Sequence, residues 1–76
     1  MTQPTRTLDA SGLACPMPIV RTRQAIDELA SGDTLEVIST DRGSLTDIPS
    51  WAETLGHTLV DSREEGGKFV YLIKKG

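Results

Sequence analysis

One cysteine, one histidine and three aromatic side chains are all that this 76-residue chain offers of those residue types. Cys15 alone can form neither an intramolecular disulfide nor an all-cysteine zinc site. His57 is the only other soft ligand, so no metal site is expected. With only Trp51, Phe69 and Tyr71 as aromatics, the core must be mostly aliphatic. A basic surplus is also missing: eight Lys and Arg stand against eleven Asp and Glu, for a net charge of −3. That argues against stable nucleic-acid binding through bulk charge. No run of about 18 apolar residues exists, so no membrane span is expected. Met1 to Arg6 is polar and lacks the apolar stretch of a secretory signal, which makes the cytoplasm the expected location. Seven glycines and four prolines are too few for a disordered composition.

What is present fits one domain over residues 1–76, with residues 1–5 expected to be flexible. Arg6 to Asp9 reads as a short strand stopped by Ser11-Gly12. From Pro18 the pattern turns helical. Ile19, Thr22, Ile26 and Leu29 fall at i, i+3, i+7 and i+10, and Gly32 is placed to end the helix. Thr34 to Thr40 reads as a strand with Leu35 and Val37 on one face and Ile38 on the other. After the turn Asp41–Ser44, Leu45, Ile48, Ala52 and Leu55 mark a second helix that runs to Gly56. Pro49 leaves two starts open for it: capping by Asp47 with a start near Pro49, or capping by Ser44 with a kinked first turn. His57 to Asp61 reads as a strand, Ser62 to Gly67 as a polar turn, and Lys68 to Lys74 as the last strand, with Glu65-Gly66-Gly67 marking a hairpin.

The order β-α-β-α-β-β, with right-handed crossovers, puts both helices on one face of a mixed four-stranded sheet. The expected fold is therefore an α/β two-layer sandwich of the α+β kind. Its last strand is apolar on both faces, which suits an inner position. The uncovered sheet face is expected to carry apolar surface, either as a partner contact or as scattered residues. Cys15 and Asp41-Arg42-Gly43 both follow parallel strands and share one end of the sheet. His57 belongs to the other end, so a Cys–His pair is not expected.

The segment Gly12-Leu13-Ala14-Cys15-Pro16-Met17-Pro18 concentrates the chemistry. Pro16 and Pro18 stiffen the approach to the helix, and Pro18 suits its first position. Gly12 supplies a tight turn. Cys15 next to a helix N-terminus has a thiolate favoured by free N–H groups and the positive dipole end, and so a reactive sulfur. Met17 and Arg21 are candidates for partner contact. Asp41 is read as a turn residue, Asp47 as a helix cap or first-turn acid, and Trp51 as packing.

Gly-Leu-x-Cys-Pro-x-Pro after a short strand resembles the TusA/SirA family of small sulfur-carrier proteins. The resemblance runs from Leu8-Asp9 through Gly32-Asp33, Asp47-Ile48-Pro49 and Gly56-His57 to Tyr71-Leu72-Ile73-Lys74. It implies a βαβαββ two-layer sandwich, in agreement with the pattern above. It also implies that Cys15 accepts sulfane sulfur as a persulfide from a cysteine desulfurase or rhodanese-like donor and passes it to an acceptor protein. Relays of this kind serve tRNA 2-thiolation, sulfur oxidation or thiosulfate use. No cofactor is implied beyond the transient persulfide, and a monomer is expected when the protein is free. The reading is of a carrier, or sulfurtransferase component, more than a stand-alone enzyme. A single-cysteine thiol redox protein would want a nearby base or a resolving thiol, and a regulatory or nucleic-acid-associated module would want a basic surface.

Overall fold

The structure, a computed structural model, describes residues 4–14 and 17–76. Its elements are β1 (Arg6–Ala10), α1 (Met17–Asp27), β2 (Thr34–Ser39), α2 (Ser44–Thr54), β3 (Thr58–Glu65) and β4 (Lys68–Lys74). The sheet order is β1-β2-β4-β3. β1 pairs parallel to β2, and β4 pairs antiparallel to both β2 and β3. The three strands that precede or follow a helix therefore run one way, with β4 inserted against them. This is the mixed sheet that the pattern of the sequence implies.

Period two decides the two faces of the sheet. Leu35 and Val37 of β2, with Phe69, Tyr71 and Ile73 of β4, point toward the helices and are buried. Ala25 and Ile26 of α1 and Ile48 of α2 close the same cluster from above. Both helices thus lie on one sheet face, and β4 is an inner strand.

Several boundaries differ from the expected ones, among them the end of α2 at Thr54 rather than Gly56. α1 ends at Asp27, so Leu29 and Ala30 belong to the turn beyond it. That turn is held from outside, because Asp33 accepts the Ala30 N–H and the Lys75 ammonium reaches the Leu29 carbonyl. α2 starts at Ser44 with Gly43 before it and no side-chain cap, leaving Pro49 inside the helix. The earlier of the two possible starts is therefore the nearer one, but the Ser44 hydroxyl does not cap. β3 runs on to Glu65, and only Gly66-Gly67 turns the chain, both at positive φ as a two-residue hairpin requires. Thr5, in the segment expected to be flexible, is tied to Thr34 through its N–H and its hydroxyl.

The uncovered face holds less open apolar surface than its sequence suggests. Val70 is buried there although no helix covers it. Its register partner Arg63 spreads across this face and pairs with Glu36, Asp61 and Glu65 at 3.8, 3.4 and 3.2 Å.

Candidate functional site at the start of α1

Two loops meet at the end of the sheet where β1 and β2 finish. The first, after β1, carries the segment that leads into α1. Gly12 sits there at φ +80, and its N–H donates to the Thr40 hydroxyl at 2.8 Å. The tight turn expected at Gly12 is present, and its hydrogen bond joins the first loop to the second. The Ser11 N–H donates to the Asp9 carboxylate at 3.0 Å. The nearby Ser11 hydroxyl and the bonded Ser11 N–H hold the Asp9 carboxyl below its usual range, with a smaller contribution from Lys68.

Cys15 and Pro16 lie outside the described residues, so the thiol expected to do the chemistry is fixed here only by its place in the chain, between Ala14 and Met17. The Met17 N–H donates to the Ala14 carbonyl at 2.9 Å. Met17 is the first residue of α1, which puts Pro18 second rather than first. The shift costs nothing in hydrogen bonding, because the first four N–H groups of a helix lack an internal acceptor. Pro18 is fully buried, and its carbonyl accepts the hydroxyl of buried Thr22 at 2.6 Å. The front of α1 is thus anchored to the core by its proline, while Met17 is 38% exposed. Arg21 is exposed one turn further on and has no ion pair among the described residues.

The second loop runs from Thr40 to Gly43. The Asp41 carbonyl accepts both the N–H and the hydroxyl of Ser44, at 3.1 and 2.7 Å, in keeping with the turn role expected of Asp41. Ser44 is itself buried, and its hydroxyl meets the Tyr71 hydroxyl at 2.7 Å. Burial pushes the Tyr71 hydroxyl above its ordinary range; the Ser44 hydrogen bond opposes that rise and the Asp41 carboxylate adds to it. Pro18 and Ile19 line a narrow cleft with Asp41, Ser44 and Asp47. The starts of α1 and α2 therefore face each other across two carboxylates. Sequence reasoning missed the Ser44–Tyr71 bond, since only the pairing of distant elements brings those residues together.

His57 lies elsewhere. Its Nδ1 accepts the Gly76 N–H at 3.1 Å, and its ring centroid is 5.3 Å from that of Trp51. Trp51 packs against the core, as expected, and its buried indole N–H has no partner among the described residues. It also lines a groove of about 760 Å³ between the outer sides of α1 and α2, with Ile19, Val20 and Leu55. Among the described residues, no three His, Cys, Asp or Glu side chains converge as metal ligands. No helix among them is long and apolar enough to cross a membrane.

This architecture and sequence have well-matched relatives. The model of a family described as sulfurtransferase TusA matches residues 6–75. The putative sulfur carrier protein YrkI of Bacillus subtilis is 49% identical over 71 residues, covering 93% of this chain and 95% of the relative. The sulfur carrier protein TusA of Allochromatium vinosum is 52% identical over 68 residues, covering 90% of each. The crystal structure of a SirA-like protein from Desulfitobacterium hafniense superposes with a TM-score of 0.84 at 27% identity, over 95% of this chain and 99% of that one. A match from the first strand to the last, in sequence and in fold, establishes that the chain belongs to the TusA sulfurtransferase family.

Proposed function

We propose that this protein is a sulfur carrier whose cargo rides on Cys15 as a persulfide. The observation that carries the reading is the position of the chain's only thiol, two residues before α1 in a chain matched to the family over residues 6–75. Free N–H groups and the positive end of the helix dipole stabilise an anion at such a place. The Cys15 thiolate attacks the outer sulfur of a donor persulfide. A bond forms from Cys15 Sγ to that sulfur, the donor's S–S bond breaks, and the donor's inner sulfur leaves as a thiolate. Delivery is the same exchange with an acceptor thiol as the attacking group, so no net oxidation is needed. The lack of a second cysteine suits this role, because an internal disulfide would discharge the sulfur.

The partners that fit are a cysteine desulfurase or rhodanese-like donor and a downstream acceptor protein, met in turn by a free monomer in the cytoplasm. The relays such a carrier would serve are tRNA 2-thiolation, sulfur oxidation or thiosulfate use. Gly12, Pro16 and Pro18 support the segment, while Met17 and Arg21 offer exposed contacts beside it. Incubation with a cysteine desulfurase and sulfur-labelled cysteine tests the reading. Label should enter the parent protein, leave with a mild reductant, and fail to enter Cys15→Ser. Label retained by Cys15→Ser would reject it.

A further inference from the structure

Lys75 and Gly76 tie the trailing ends of the two helices together. α2 stops in a Schellman arrangement: Gly56, at φ +78, donates its N–H to the Glu53 carbonyl, and the His57 N–H reaches the Ala52 carbonyl at 2.8 Å. Those bonds fix the His57 backbone, and Nδ1 of its ring accepts the Gly76 N–H at 3.1 Å. On the other side, Lys75 extends the pairing of β4. Its carbonyl accepts the Gly32 N–H and its own N–H donates to the Asp33 carbonyl, both at 2.8 Å. Its ammonium reaches the Leu29 carbonyl, and the Gly76 carbonyl accepts the Ser31 hydroxyl at 3.0 Å. Gly76 thus bridges the turn after α1 and the turn after α2.

Glycine alone fits the bridge, because a Cβ on Gly76 would overlap the Gly56 carbonyl oxygen. The bridge also demands one form of the imidazole. Nδ1 accepts an N–H only when the ring is neutral and carries its proton on Nε2. A protonated ring donates from both nitrogens, so its Nδ1–H would face the Gly76 N–H with no acceptor between them. Of the charged groups on the segments that meet here, Asp33 is bonded to the Ala30 N–H and Lys75 to the Leu29 carbonyl, while Asp27, Glu53 and Lys74 are exposed. The dipole of α2 and the Trp51 ring, 5.3 Å from that of His57, act on the imidazole whether or not Gly76 is docked. Neither therefore enters the coupling between protonation and docking.

We propose that His57 is a pH-sensitive clasp: its neutral ring holds Gly76 across the trailing ends of α1 and α2, and its protonation lets Gly76 go. Gly76 is docked above the range in which a histidine titrates and is released below it. The bonds of Lys75 to the turn after α1 involve no imidazole, so release frees Gly76 from α2 alone. Asp27, Thr54 and Leu55, at the same helix ends, line the groove between the helices, and release loosens the walls of the groove there. The clasp is independent of sulfur carriage.

The test is hydrogen exchange of the Gly76 amide, followed by NMR from about pH 8 to about pH 5, each rate divided by that of a free amide at the same pH. In the parent, protection of Gly76 should fall roughly fivefold as His57 takes its proton, the worth of one ordinary hydrogen bond. The amides of Val37 and Tyr71 in the core strands should stay protected over the same range. His57→Asn places a carbonyl oxygen close to the position of Nδ1, and that oxygen does not titrate. Protection of Gly76 should then be the same at both ends of the range. His57→Ala should leave Gly76 unprotected throughout. A parent whose Gly76 protection does not change with pH overturns the proposal. So does a fall of the parent's size in either variant, since no imidazole remains to take the proton. Loss of protection at Val37 and Tyr71 together with Gly76 reads as unfolding and overturns it as well. Exchange needs no sulfur donor, so failure of the parent to take up sulfur would reject the carrier reading and leave this result standing.

Discussion

Replacing Gly12 and Gly43 by alanine makes the same chemical change at two neighbouring loops, and the structure gives the changes different outcomes. Gly12 lies at φ +80, and a Cβ there would meet nothing within 4 Å among the described residues. The penalty of Gly12→Ala is therefore backbone strain alone, roughly 1–2 kcal/mol for a non-glycine residue in the left-handed region. Stiffening the unfolded chain returns about 0.4–1 kcal/mol. The net loss is about 1 kcal/mol, or roughly 4–8 °C in melting temperature for a domain of this size. Gly43 lies at φ −60, so alanine gains the entropy term without strain. Against that stands the 3.0 Å approach to Asp41 Oδ2, which the carboxylate relieves by swinging a few tenths of an ångström. Gly43→Ala should stay within about 0.5 kcal/mol of the parent. Thermal unfolding by circular dichroism, with both variants and the parent in one buffer, reads the difference. Equal melting temperatures for the two variants, or a lower one for Gly43→Ala, would refute the reasoning.

Two further outcomes follow from the polar groups at either end of the sheet. Asp9 has a folded pKa below its unfolded value, so the stability it contributes is present above about pH 4 and is lost as pH falls through the folded value. Asp9→Asn should be less stable than the parent near neutral pH, and acid unfolding curves should show the gap closing below about pH 4. His57 is bonded to Gly76 at the other end of the sheet from the start of α1, so His57→Ala should leave the alkylation rate of Cys15 unchanged. A marked fall in that rate with the fold intact would contradict the placement.

The sequence is most legible where one face of an element is buried. The alternation in β4 and the i, i+3, i+7 stripe of α1 follow directly from burying Phe69, Tyr71, Ile73, Thr22 and Ile26 on one side, whereas of the stripe expected in α2 only Ile48 and Ala52 are buried and Leu45 and Leu55 are exposed. That is enough to set the element order and the helical layer. Legibility fails where long-range partners decide. Ser62 to Glu65 reads as a turn because a strand exposed on both faces has no hydrophobic period, and its pairing with β4 makes it a strand. Leu29 continues the helical stripe, but it packs on the core from a turn held by Asp33 and Lys75. The start of α2 is hidden in the same way, because the hydroxyl that looks like a cap is occupied by Asp41 and Tyr71, the latter 27 residues away. The motif around Cys15 was the clearest signal of all, since its chemistry is local to seven residues.

The most direct test of the central claim is intact-protein mass spectrometry on protein charged by a cysteine desulfurase, separated from it and then offered to an acceptor with a free thiol. The account predicts a gain of one sulfur atom, mapped to the peptide containing Cys15, and its loss as the acceptor gains the same mass. It also predicts that a mild reductant removes the added mass, which separates a persulfide from sulfinic or sulfonic oxidation of the same atom. A protein that gains no labile sulfur from competent desulfurase and rhodanese donors, or that carries it at a site other than Cys15, would contradict the account.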